Sequence, residues 1–397
     1  MEGYNKKVIM SYWTICRMKT TKKIYVKVSI IFLLGGILLF SSCEKEENQK
    51  IEANRKTLFM YLPWSSNLTN YFYNNISDLE KCITKIGLNN EKVIVFISTG
   101  STEAMMFEIV SSHGRCKREI LKKYKSPPFT TIDGITAILN DVKAFAPASV
   151  YTMIIGCHGM GWLPVYEMKV RSAPHMKMHW EYQGVPLTRY FGGLTAEYQT
   201  DIKSLASGIA NAGMKMEYIL FDDCYMSSIE VAYELKDVTK YLIGSTSEMM
   251  AYGMPYAAIG EYLLGNPDYQ SGCEEFYNFY STYEIMPCGT LAVTDCSELE
   301  NMAAIIKSIN SKYSFDKSLR GTIQRLDGYT PVIFYDFADY ITSLCNDPIL
   351  LNQFREQLNH LVPYKTHTKN FYTMAKGIIP INTFSGITTS DPSDNPM

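Results

Sequence analysis

The chain has 397 residues, 46% of them hydrophobic, and a formal net charge of −2 from 38 basic and 40 acidic residues. That length can bury a sizeable core, and the near-balanced charge lacks the concentrated basic surface of a nucleic-acid binder. The 29 tyrosines and 21 methionines read as core filling and aromatic surface rather than as a cofactor box.

Lys19, Lys22, Lys23 and Lys27 precede an apolar run from Val28 to Phe40. The run has the length of a signal-peptide core and is short for a bilayer span. It ends in Phe40-Ser41-Ser42-Cys43 and then Glu44-Lys45-Glu46-Glu47. Small residues before a cysteine, followed by a polar linker, resemble a bacterial lipoprotein signal, with Phe40 where leucine is usual. The resemblance implies a lipid on Cys43 and anchorage at the outer membrane, cell surface or periplasm. Met18 opens a better start for such a signal than Met1. Residues 44–56 read as a charged tether, and 57–397 as one domain with helical additions at its C-terminal end. Eight further cysteines (82, 116, 157, 224, 273, 288, 296 and 345) form no CxxC pair and no disulfide scaffold.

Beyond the tether, strand-like and helical patterns alternate. A strand over 57–62 precedes a helix around 68–86, and 92–98 is a second strand. Residues 111–128 are polar and read as a mobile connection before a helix over 131–145. The third strand, 150–156, stops at His158-Gly159-Met160-Gly161-Trp162. A helix over 201–212, capped by Asp201 or Thr200, leads to the fourth strand, 216–221, and then to Asp222-Asp223-Cys224. A helix over 227–236, strands over 241–247 and 289–294, and a helix over 295–311 follow, and 327–360 reads helical. The last residues, 384–397, read as though a further segment once followed.

Nearly continuous apolar strands separated by amphipathic helices predict an α/β fold, a mostly parallel sheet covered on both faces. Sites in such sheets form at the carboxyl ends of the strands, and both His158 and Cys224 fall there. A histidine and a cysteine at one sheet edge are the parts of a general base and a thiol nucleophile. The helical pattern after Cys224 predicts a helix N-terminus beside the thiol, which lowers its pKa. The amides of Gly159 and Cys224 are candidate oxyanion donors, because glycine allows the backbone to approach a substrate closely. His175 and His179 are four residues apart, but no helix and no third ligand accompany them, so no metal site is read. Asn67-Leu68-Thr69 and Asn75-Ile76-Ser77 fit a eukaryotic glycosylation pattern that has no meaning in a bacterial lipoprotein.

The His158, Gly159, Gly161, Trp162 run after a strand, and then Phe221, Asp222, Cys224, Met226, Glu230, Ala232, Glu234 and Leu235, resemble the clostripain family of cysteine peptidases. Residues 188–192, Thr-Arg-Tyr-Phe-Gly, resemble the stretch between them. The resemblance implies a caspase-like fold, a Cys224–His158 dyad acting on protein or peptide substrates, and Arg or Lys at P1. It makes Asp222 part of the S1 pocket. The second S1 acid of the family falls where this chain has Tyr252, and Glu248 or Asp223 is a candidate substitute. It also implies self-cleavage in the basic 165–177 loop, with Lys169 and Arg171 as candidate points, and allows calcium as a cofactor. The alternative is a caspase-like surface lipoprotein that is non-catalytic or altered in specificity and binds peptides or proteins.

Overall fold

The computed structural model describes residues 54–65, 67–163 and 196–391. Cys43, Lys169, Arg171, His175, His179 and residues 188–192 lie outside these.

Strand β1 (Asn54–Leu62) pairs in parallel with β2 (Glu91–Gly100) and with β5 (Ala148–Ile155). Strands β6 (Met216–Phe221) and β7 (Thr239–Gly244) continue the parallel array beyond β5. Leu58 to Leu62 and Val93 to Ile97 are buried without alternation, as strands covered on both faces must be. Helix α1 (Thr69–Ile86) buries Phe72, Ile76, Leu79 and Ile83, three or four residues apart and so on one face. Helices α2 (Ile132–Phe145) and α3 (Ile202–Asn211) have similar buried stripes and pack on each other. Asp201 stands at the N-cap position of α3.

The full sheet has nine strands in the order β10-β8-β7-β6-β5-β1-β2-β3-β4. Its five central strands are parallel, and two antiparallel strands extend each edge. At one edge these are β8 (Thr290–Asp295) and β10 (Tyr364–His367). At the other, β3 (Glu103–Ser112) and β4 (Arg115–Lys125) form a hairpin. The hairpin corrects the expectation of a mobile connection over 111–128. Strand β4 carries Arg115, Lys117, Arg118, Lys122, Lys123 and Lys125 on an edge, where charge guards against unwanted pairing. That charge hid the strand from a reading based on apolar runs.

The chain runs from β1 outward to β2 on one side, then returns to the other side for β5, β6 and β7. Right-handed crossovers therefore carry the helices to opposite faces. Helices α1, α5 (Tyr256–Leu263) and α6 (Tyr269–Ser281) pack together, as do α2, α3 and α4 (Ile229–Leu235). The reversal between β1 and β5 is a topological switch point, where an open α/β sheet forms its crevice. Region 327–360, expected to be helical throughout, opens with a loop and the two-residue strand β9 (Tyr335–Asp336). Helices α8 (Phe337–Leu344) and α9 (Pro348–Leu361) follow, and α9 packs on α7 (Leu299–Asn310).

Candidate active site

Register places His158 and Cys224 at matching offsets beyond adjacent strands. Ile155 of β5 pairs with Phe221 of β6, and the Asp222 amide donates to the Ile155 carbonyl at 2.8 Å. His158 and Cys224 each lie three residues beyond that pair, past the ends of the neighbouring strands β5 and β6, with β5 at the switch point. Both are buried.

Two contacts fasten the strand-end loops to each other. The Cys157 amide donates to Asp223 Oδ1 at 2.6 Å, and the Cys157 thiol donates to Asp223 Oδ2 at 3.4 Å. Asp223 is fully buried, and these bonds tie the residue before His158 to the residue before Cys224. Gly159 packs directly on the Cys224 backbone. A Cβ built there would lie 2.2 Å from the Cys224 carbonyl oxygen and 2.8 Å from its amide nitrogen. Only glycine fits this approach.

His158 Nε2 is 2.8 Å from Asn67 Oδ1. The carboxamide oxygen can only accept, so Nε2 carries the proton and Nδ1 is the basic nitrogen. Asn67 follows β1 at the same carboxyl edge. It was missed in the sequence, where it appeared only in a glycosylation-type triplet. The position of β1 beside β5 was the signal that could have found it.

The helix expected over 227–236 starts at Ile229, five residues after Cys224. Ser228 caps it, its hydroxyl accepting the Val231 amide at 3.2 Å. The helix N-terminus thus stands away from the thiol. Met249 meets the sulfur with both backbone groups: its N–H points at Cys224 Sγ from 3.1 Å, and the thiol donates to its carbonyl oxygen at 3.7 Å. A donor aimed at sulfur favours its charged form.

Tyr225, next in the chain, has φ of +63°, a left-handed conformation that costs a tyrosine about 1–2 kcal/mol. Its surroundings hold it there. Its ring stacks on Phe334 with centroids 4.8 Å apart, and its hydroxyl donates to Glu248 Oε1 at 2.8 Å. Glu248 Oε2 accepts the Met374 amide at 3.0 Å. Glu248 is thus buried beneath Tyr225. Beyond His158, Gly161 has φ of +59°, and a Cβ there would meet the Phe334 ring at 2.7 Å. Trp162 Nε1 donates to Ser390 Oγ at 2.6 Å.

Asp222 is buried and turns toward the segment after β7. Its Oδ1 accepts the Met254 amide at 2.8 Å, and its Oδ2 accepts the Tyr256 hydroxyl at 3.0 Å. Tyr252 lies in the same turn, half-buried, with its hydroxyl donating to Asp78 Oδ2 at 2.7 Å. Among the described residues, no three His, Cys, Asp or Glu side chains come together to hold a metal ion. No helix among the described residues is long and apolar enough to cross a membrane.

A mixed, mainly parallel sheet with a buried cysteine and histidine at neighbouring strand ends defines a caspase-like α/β protein with the parts of a thiol hydrolase. The clostripain family model matches residues 60–379, and the chain belongs to that family and is a cysteine-type endopeptidase. Iotapain, a secreted cysteine protease from Bacteroides thetaiotaomicron, is 59% identical. That match covers 86% of this chain and 94% of iotapain at a TM-score of 0.80. A clostripain from Bacteroides thetaiotaomicron ATCC 29148, solved in complex with the peptide inhibitor BTN-VLTK-AOMK, is 67% identical. It covers 52% of this chain and 92% of its own, at a TM-score of 0.51. An inactive zymogen protease from Parabacteroides distasonis shares the fold at 24% identity, covering 87% of this chain and 94% of its own at a TM-score of 0.72. No curated protein matches the sequence.

Proposed function

We propose that Cys224 is the nucleophile and His158 the general base and acid of an endopeptidase that cleaves after lysine or arginine. The observation that carries the reading is the shared offset of the two residues beyond the paired Ile155 and Phe221. In the first step the Cys224 sulfur attacks the scissile carbonyl carbon, and its proton passes to His158 Nδ1. The negative oxygen of the tetrahedral intermediate turns to the Gly159 and Cys224 amides. Collapse breaks the C–N bond, and His158 returns the proton to the leaving amine, leaving a thioester. Water, deprotonated by His158, then attacks the thioester and releases the new carboxyl end and the thiol. Asn67 holds the imidazole in the tautomer this sequence needs. The Met249 amide favours the thiolate from the start.

Basic P1 specificity rests on Asp222, a buried carboxylate two residues before the nucleophile. Charge-assisted pairing inside such a pocket is strong. The peptide of the inhibitor bound to the 67% identical clostripain ends in lysine, which supports the same preference. Asp223 and Glu248 are engaged with Cys157 and Tyr225, so their part in specificity is indirect: they shape the loops that carry the site. The deciding experiment is a P1-diverse fluorogenic peptide library incubated with wild type and Cys224→Ala. Turnover of Lys or Arg members by the wild type alone is expected; no Cys224-dependent turnover of any member sinks the peptidase mechanism.

Two further readings belong to the whole chain. Self-cleavage after Lys169 or Arg171 would mature the enzyme. Blotting purified wild type and Cys224→Ala tests it, with two fragments expected from the wild type only and an intact wild type overturning it. A lipid on Cys43 would tether the enzyme to the membrane. Metabolic labelling with a palmitate analogue tests it, and label that persists in Cys43→Ala rules it out.

A further inference from the structure

Asp78 is a carboxylate near the site for which the steps above have no use. The turn from Met250 to Tyr256 connects it to Asp222. Asp222 fastens one side of that turn through the Met254 amide and the Tyr256 hydroxyl. Helix α1 fastens the other. Asn75 Nδ2 donates to the Tyr252 carbonyl at 2.8 Å, and the Tyr252 hydroxyl donates to Asp78 Oδ2 at 2.7 Å. The Tyr252 ring stacks on Phe279 at 5.0 Å and tilts against Tyr283 at 5.8 Å. Burial, then the hydrogen bond and charge of Asp78, and also the charge of Asp222, raise the pKa of the Tyr252 hydroxyl. The phenol therefore stands in the field of both carboxylates.

We propose that Asp78, acting through the Tyr252 hydroxyl, is a specificity-determining residue that makes the S1 wall select lysine over arginine. The inference rests on the reading of Asp222 as part of that wall, and deepens it. A hydroxyl that gives its proton to a carboxylate can serve a substrate only as an acceptor, and the carboxylate polarises it. A lysine ammonium is a compact charge with three donors, suited to one carboxylate oxygen and one phenol oxygen. An arginine fork needs two parallel acceptors of a single carboxylate, and both Asp222 oxygens already receive a donor from the turn. A second contact points the same way. Lys81 Nζ sits 2.8 Å from Asp78 Oδ1, with its side chain 71% exposed against 10% for Asp78. The largely buried Asp78 carboxylate already accepts a lysine ammonium at Oδ1, which leaves Oδ2 to the Tyr252 hydroxyl.

The test uses the full chain and peptides identical except for Lys, Arg or Leu at P1, with kcat and KM measured for wild type, Tyr252→Phe and Asp78→Asn. Wild type is expected to prefer lysine. In each variant the Lys-to-Arg ratio of kcat/KM should fall by roughly tenfold or more, mainly through the KM of the lysine peptide. The double variant should lose no more than either single one, because the two residues form one relay. Tyr252→Phe keeps the ring stack, and thermal midpoints identify any variant that fails to fold. If Asp78→Asn unfolds, Tyr252→Phe decides alone. An unchanged ratio in folded variants overturns the proposal, as does a wild type that prefers arginine. A wild type that cleaves neither basic peptide overturns the Asp222 reading instead.

Discussion

At the scale of single residues, much of the site's chemistry depends on groups that touch no substrate. Asn67 is exposed, yet its carboxamide decides which His158 nitrogen is basic. Asn67→Ala should leave stability within about 0.5 kcal/mol, as surface changes usually do. It should lower kcat by roughly tenfold to a hundredfold and change the acid limb of the pH–rate profile, since the imidazole loses its fixed tautomer. A pH series of kcat and kcat/KM on the lysine peptide checks this; an unaltered profile would mean that Asn67 is only a neighbour. Tyr225 makes the complementary case. A left-handed tyrosine beside Cys224 is tolerated because Glu248 and Phe334 both engage it.

At the scale of elements, the two strand-end loops act as one unit. Asp223 joins them by side-chain bonds, and Gly159 joins them by lying against the Cys224 backbone. Gly159→Ala would push a methyl carbon into the Cys224 carbonyl. Overpacking of this kind costs about 1–3 kcal/mol, and the displaced loop carries both proposed oxyanion amides. We expect activity to fall by at least roughly a hundredfold, the effect of losing one such donor, with a lowered thermal midpoint. Wild-type kcat in Gly159→Ala would show that the loops move independently of the chemistry. The helix after Cys224 has its own support: Ser228 caps α4, so Ser228→Ala should cost about 1 kcal/mol in denaturant unfolding. No cost would mean that water replaces the cap.

At the scale of the whole molecule, one buried charge sits at the opposite end of the sheet from the site. Lys56, near the start of β1, is 3% exposed and donates to the carbonyls of Leu263 and Gly265 at 2.6 and 3.1 Å. Burial lowers its pKa from 10.5 to about 8, although Glu91 pulls it back up. The folded chain therefore releases this proton at a lower pH than the unfolded chain does. The penalty is absent above 10.5, builds as pH falls toward 8, and reaches on the order of 3 kcal/mol at neutral pH. Stability should thus rise as pH increases from about 8 to about 10. Tyrosines such as Tyr218, whose pKa burial raises, act in the opposite direction only where free tyrosine ionises. Denaturant titrations of wild type and Lys56→Met across that window test the assignment. The variant should show a flatter dependence, and equal slopes would place the linkage elsewhere.

The sequence by itself determined the central sheet and the position of the reactive pair. Apolar runs such as those over 150–156 and 216–221 are long enough to be read as parallel strands, and His158 and Cys224 follow them within a few residues. Local periodicity and local punctuation are properties of the chain, so they survive without coordinates. The Arg- and Lys-rich edge strand β4 carried no such signal, because an edge strand is specified by its partner rather than by its own pattern. Only the tertiary structure decided what surrounds the pair. Asn67 lies 91 residues from His158, the Met249 amide 25 from Cys224 and Asp78 174 from Tyr252, and sheet order and helix packing bring each to its partner. The helix expected from residue 227 begins at Ile229, and between Cys224 and it the chain makes a tight left-handed step at Tyr225 that no periodicity reveals. Non-local contacts are decided by which strand lies beside which, and that order is a global free-energy choice that no short stretch of sequence encodes.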